Sequence, residues 1–182
     1  MQAFNLKASL AALAILALPV VQAASMSKDE YGAGKSRITA EYKTAKDACG
    51  SFAGNAKDIC VEEAKAKEKV ARAELEYGYS GKAEDQNKIM VAKAEGAYAV
   101  AREKCDDKAG NEKDVCVQVA KAAETKALAD AKLNRKVGAA RSDASEDKRE
   151  ATYKVAAERC NAFSGEAKSS CLVDAKLKFG KS

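Results

Sequence analysis

Six cysteines are the residues of this chain best suited to chemistry, and their spacing is regular. They form three pairs, Cys49/Cys60, Cys105/Cys116 and Cys160/Cys171, each eleven positions apart, and the pairs recur after 56 and then 55 residues. Thiols placed this way have three uses: a metal site, a redox centre or a covalent staple. Structural zinc sites separate their cysteines by about two to four residues, and thiol-exchange centres use Cys-x-x-Cys. Neither spacing occurs here. The C-x10-C pattern points instead to structural disulfides.

More than the thiols repeats. Tyr42, Tyr98 and Tyr153 each stand seven residues before the first cysteine of a pair, and Gly54, Gly110 and Gly165 stand five after it. Lys57, Lys113 and Lys168 lie three before the second cysteine, which is followed by Val61, Val117 or Leu172. Ala64-Lys65, Ala120-Lys121 and Ala175-Lys176 close the motif. The unit is Y-x6-C-x4-G-x2-K-x2-C-[VL]-x2-A-K, and three in-register copies of it mark an internal duplication.

The elements that must position these residues are helices. In the first arm of unit 1, Ile38, Tyr42, Ala45 and Cys49 step along one helical stripe. Val91, Ala94, Tyr98, Ala101 and Cys105 do the same in unit 2. The second arms carry Cys60, Ala64, Lys67, Ala71 and Leu75, and then Cys116, Ala120, Ala123, Ala127 and Ala131. Between the arms, Gly54-Asn55 and Gly110-Asn111 read as a helix stop followed by an N-cap, with Asp58 and Asp114 favouring the helix start. Unit 3 has Gly165-Glu166 instead, which makes Ser164 its cap candidate. The expected fold is all-α, with three antiparallel helical hairpins.

A cysteine at the end of one arm and another about one turn into the next are within disulfide reach in antiparallel neighbours. Of the fifteen possible pairings of six cysteines, this geometry selects Cys49–Cys60, Cys105–Cys116 and Cys160–Cys171. Each closes a short loop and contributes about 2–3 kcal/mol. The repeated tyrosines are expected to be the largest packing residue of each hairpin, and the repeated glycines its turn.

The hairpins are placed at residues 35–78, 82–136 and 139–179. Tyr77–Gly81 separates the first two, while Val137-Gly138 and Ser142–Ser145 separate the last two. Residues 24–34 read as a flexible polar leader, and Gly96 as a helix-interior glycine that costs some stability. Six helices result, either stacked as hairpins or run end to end.

Residues 1–23 have the pattern of an export signal. Lys7 supplies the positive start, Ala8–Leu18 is apolar apart from Ser9, Pro19 breaks the helix, and Val21-Gln22-Ala23 offers a cleavage site before Ala24. The apolar run is short for a membrane anchor, so the expected location after cleavage is periplasmic or secreted, with no stable membrane span. Disulfides persist in that setting.

Composition narrows the function classes. The chain has no histidine and no tryptophan, and its one proline, Pro19, falls in the export segment. Serine and cysteine nucleophiles paired with histidine, His-ligated zinc and c-type haem attachment are therefore outside its reach. Ile, Leu, Val and Phe supply only 21 residues after Ala23, so the expected core is thin. The net charge is +5 but mixed in sign along helical spacings, as in solvated helix faces. Neither a basic cluster nor interleaved aromatics favour nucleic acid. The adjacent acids Glu62-Glu63 and Asp106-Asp107 diverge on a helix and do not form a catalytic pair. No phosphate-cradling glycine loop is present, and no cofactor or metal is expected.

Tyr42, Cys49, the run Gly54-Asn55-Ala56-Lys57-Asp58-Ile59-Cys60-Val61 and Ala64-Lys65 resemble a repeat in small, uncharacterised exported proteins of proteobacteria, some labelled TolA-like for their Ala-Lys-Glu-rich helices. The resemblance covers about residues 35–179. It implies a periplasmic helical protein and transfers no active-site residue.

The expected function is non-enzymatic: a structural or protein-interaction role in the cell envelope, including under stress, with an envelope protein or polymer as partner. The rival is a periplasmic binding module for a cation or small anionic ligand, using carboxylates or lysines repeated on each unit, with Lys57, Lys113 and Lys168 as its leading candidates.

Overall fold

A computed structural model describes residues 26–181. The expected export segment, residues 1–23, lies outside the described residues. Five α-helices follow one another: α1 (Lys28–Ala48), α2 (Gly54–Ser80), α3 (Ala83–Cys105), α4 (Gly110–Arg159) and α5 (Gly165–Lys178). Short 3-10 turns at Cys49–Ser51 and Cys160–Ala162 lead out of α1 and α4. Among the described residues there is no strand, and the all-α hairpin architecture stands.

Each hairpin turn has the same construction. The first arm ends at a cysteine, and the second opens on a glycine in the left-handed region, Gly54 (φ 55°), Gly110 (φ 51°) and Gly165 (φ 57°). A side chain at that φ would crowd the following carbonyl, which is why glycine recurs there. The disulfides Cys49–Cys60, Cys105–Cys116 and Cys160–Cys171 clamp the three turns, with Cα atoms 5.6, 5.6 and 5.7 Å apart. Cys49, Cys105 and Cys160 are fully buried.

The helices form an open row rather than a closed bundle. Among the described residues, each packs only on its neighbours in the chain: α1 on α2, α2 on α3, α3 on α4, and α4 on α5. The buried apolar residues are mostly small, with Ala64, Ala92, Ala94, Ala120, Ala131 and Ala175 joined by Ile38 and Leu75. Side chains this short let helix axes approach closely and bury little area per residue, as the scarcity of large apolar residues requires.

Two boundaries differ from expectation. Residues 28–34 belong to α1 and do not form a flexible leader. Ser27 accepts from the Glu30 amide while the Glu30 carboxylate accepts from the Ser27 amide, a capping box that starts the helix early. Gly34 is buried in the α1–α2 seam, where a Cβ would lie 2.6 Å from Leu75 Cδ1. Gly32 and Gly34 both lie within α1 and do not loosen its start.

The second difference lies at residues 137–145, where a break between units 2 and 3 was expected. There α4 runs unbroken for 50 residues, about 75 Å at 1.5 Å per residue. It serves as the second arm of one hairpin and the first arm of the next, so there are five helices and not six. The reason lies in the face that would have to stack. Counting back from Cys105 and Cys160, the α3 residues Ala92 and Ala94 correspond to Asp147 and Arg149. α3 is sandwiched by α2 and α4 and buries both alanines; the charged equivalents in α4 cannot be buried without partners. The turn chemistry is also missing. Between α2 and α3, Gly81 closes α2 at φ 64°, its N–H bonded to the Tyr77 carbonyl. Gly138, by contrast, is an interior residue of α4. Hairpins 1 and 2 are therefore stacked side by side, and hairpin 3 is carried on a stretch of α4, residues 132–149, that is exposed on every face.

Candidate functional site

The three clamped turns are the repeated feature of the molecule, and the path of the chain decides which of them meet. α2 leads away from turn 1 and α3 returns, so turns 1 and 2 lie at one end. Asn55 at the start of α2 donates from Nδ2 to the Glu103 carbonyl near the end of α3, at 2.8 Å. This replaces its expected role as an N-cap: the cap position of α2 is Ala53, and no side chain caps the helix there. Ser164 does occupy the cap position of α5, without a side-chain bond to it. Turn 3 lies at the far end of α4. Lys57 and Lys113 are thus at one end of the protein and Lys168 at the other, so the three do not converge on one ligand. Lys113 pairs instead with Asp106 at 2.9 Å across its own turn.

The repeated tyrosines are half-buried seam residues: Tyr42, Tyr98 and Tyr153 each keep part of their surface exposed. Tyr153 meets Phe179 edge-on, with ring centroids 6.3 Å apart. Of the adjacent acids, Glu62 and Glu63 serve in ion pairs. Glu62 holds Lys65 at 2.5 Å, and Glu63 lies 3.6 Å from Lys104 on α3. The α2–α3 seam is laced further by Lys69–Glu95 and by Lys93–Glu74 at 3.3 Å. Exposed pairs of this kind contribute little singly but fix the register of two alanine-lined helices. Among the described residues, no group of three or more Asp, Glu, His or Cys side chains is arranged to hold a metal ion.

Two clusters escaped the sequence reading. At the α2–α3 turn, Asp85 is only 5% exposed. Its carboxylate accepts from Ser80 Oγ at 2.5 Å and faces Lys88 Nζ at 2.6 Å. The Lys88 ammonium, and after it the Ser80 hydroxyl, hold the Asp85 carboxyl below the usual aspartate range, and the same contact raises Lys88. At the open ends of α1 and α2, Tyr31 stacks on Tyr79 with centroids 4.5 Å apart and donates to Glu76 at 2.5 Å. That bond raises the Tyr31 phenol. The capping box Ser27-x-x-Glu30 was the available signal for the second cluster, because it puts Tyr31 on a helix. Nothing in the repeat pointed to the first, since unit 3 has no equivalent of Asp85.

A third anchor ties down the chain end. Lys181 bridges Glu150 at 2.5 Å and Glu146 at 3.1 Å on α4, which lowers both carboxyls and raises the lysine.

The remaining feature is apolar and outward. Along α4, Val115, Val119 and Leu133 are 53%, 64% and 59% exposed on one face. Phe52 and Phe163 stand out from turns 1 and 3. Among the described residues, no helix is long and apolar enough to cross a membrane. Compared with models of protein families, with curated proteins and with solved structures, the chain finds no match.

Proposed function

We propose that this chain is a non-enzymatic protein exported to an oxidising compartment, the periplasm in a Gram-negative cell, where it serves as a structural or interaction element of the envelope. The observation that carries the reading is the use of the cysteines: all six are joined in three identical clamps, one at each hairpin turn. Such staples persist outside the cytoplasm and are reduced within it. They also supplement a core built largely of alanine. The export pattern at residues 1–23 agrees with this location. For the interaction role, support comes from the long exposed helix and its outward valines and leucine, which offer a partner more apolar surface than a solitary domain needs.

The test is isolation from fractionated cells with thiols blocked at lysis. The reading expects a periplasmic chain that begins at Ala24, has no free thiol and cross-links to envelope proteins in intact cells. A cytoplasmic chain with six reactive thiols would overturn it.

A further inference from the structure

Aligning the units on their cysteines superimposes α2 on α4 and α3 on α1, and this exposes an unused half-interface at each end of the stacked hairpins. The α2 face that packs on α3 carries Glu63, Ala66 and Glu74; their equivalents in α4 are Val119, Ala122 and Asp130, and all three are exposed. The α3 face that receives α2 carries Ala92, Lys93 and Gly96; their equivalents in α1 are Ser36, Arg37 and Ala40, exposed as well. One copy of the chain therefore holds both halves of a contact whose complete form is its own α2–α3 seam.

We propose that a second copy of this chain docks its α1 on the outer face of α4, continuing the row of hairpins head to tail. The seam's own polar contacts carry over. Lys93–Glu74 at 3.3 Å becomes Arg37 of one copy facing Asp130 of the other, with the charges kept. Asn55 donating to the Glu103 carbonyl becomes Asn111 donating to the Asp47 carbonyl. Lys104–Glu63 becomes Ala48 beside Val119, an ion pair turned into an apolar contact that suits the exposure of Val119. One position departs from the template: Ala40 stands where α3 has Gly96, so the new seam is slightly wider there. Asp130 is held within its own helix by Lys126 at 3.0 Å, an exposed pair that leaves it open to a second cation. Hairpin 3 of the same chain does not compete for the face, because α4 passes through residues 137–145 without a turn. A contact between two different faces does not close on itself, so the assembly grows with concentration.

The experiment measures the mass of the exported, oxidised chain by sedimentation over a wide concentration range. Mass is expected to rise past the dimer. Val119→Glu, at a position 64% exposed in the chain, should leave helicity unchanged and weaken association strongly, because Ala48 offers the new carboxylate no cation where Lys104 meets Glu63 in the α2–α3 seam. Arg37→Glu and Asp130→Lys should each weaken association several-fold, and the double variant, which restores the pair between copies, should recover it. A monomer at every concentration overturns the proposal, as does association indifferent to Val119→Glu. Loss with Val119→Glu but not with Arg37→Glu also overturns it, since that outcome assigns the α4 face to another α4 or to hairpin 3.

Discussion

Gly96 of α3 lies directly against Ala66 of α2: a Cβ at position 96 would fall 2.8 Å from the Ala66 Cβ and 3.3 Å from its Cα. A helix-interior glycine is normally a cost, yet here it sets the closest approach of the two helices at the centre of the row. The neighbouring atoms belong to backbone and a methyl group, which cannot swing aside. Gly96→Ala gains about 1 kcal/mol of helix propensity and loses about 1–3 kcal/mol to overpacking. The expected result is a net loss near 1 kcal/mol, and Gly96→Val should cost more. Gly32→Ala is the control: α1 is helical there and nothing lies within 4 Å, so it should stabilise by up to about 1 kcal/mol. Denaturation midpoints of the three variants check the signs.

The hairpin glycines behave in the opposite way. Gly54, Gly110 and Gly165 have open space around them, but all have positive φ. Replacing any one with alanine should cost about 1–2 kcal/mol through backbone strain alone. The near-identical turn geometry predicts similar intrinsic penalties, with a larger measured effect in hairpin 3, whose second arm is short. Amide exchange at the following turn of helix would report each one separately.

The cysteine pairing, the turn glycines and the helical hairpins follow from local spacing, because each depends on residues within about a dozen positions. The break expected between units 2 and 3 rests on Gly138 and the serines near it, which are loop-forming residues by type. The unbroken helix follows from Asp147 and Arg149, which stand where α3 has the buried Ala92 and Ala94 and leave the third hairpin no face to stack. Asp85 was invisible for a different reason. It reads as an ordinary first-turn acid, and only the reversal at Gly81 brings Ser80 and α2 around it. Similarly, Tyr31 became a packing residue through Tyr79, 48 positions away.

Acid should loosen the α2–α3 turn before it melts the row. The Asp85 carboxyl is held below its ordinary value, chiefly by Lys88 and then by Ser80. A carboxyl depressed on folding contributes stability that is complete above the unfolded value and is lost as pH falls through the lower folded value. The turn should therefore be indifferent to pH from neutrality down to about pH 4 and open below it. In Asp85→Asn the anion is absent throughout, so the turn should already be loosened at neutral pH and lose its acid transition. Chemical-shift titration of the Ser80, Gly81 and Lys88 resonances distinguishes the two behaviours; an unchanged acid transition in the variant would assign it to another carboxylate.

Hairpin 3 should depend on its disulfide more than hairpin 1 does. α5 has 14 residues and packs on α4 alone, a length at which a helix in isolation is marginal. It is held by Cys160–Cys171 at one end, by Lys181 on Glu146 and Glu150 at the other, and by Ala175 between them. α2, with 27 residues, lies between α1 and α3 and is secured from both sides. Replacing Cys160 and Cys171 with alanine should unfold α5 locally, with rapid amide exchange confined to about residues 160–181, while α1 to α3 stay protected. The matching replacement of Cys49 and Cys60 should lower stability by about 2–3 kcal/mol but leave α2 helical. Adding Lys181→Ala to the first variant should change little, because the tail anchor has no helix left to hold. In the oxidised protein, Lys181→Ala should fray only the last turn, and more so at low salt, where the intact pair contributes most. If the two cysteine replacements gave equal, global losses, the row would be a single cooperative unit, and the separate hold on hairpin 3 described here would be wrong.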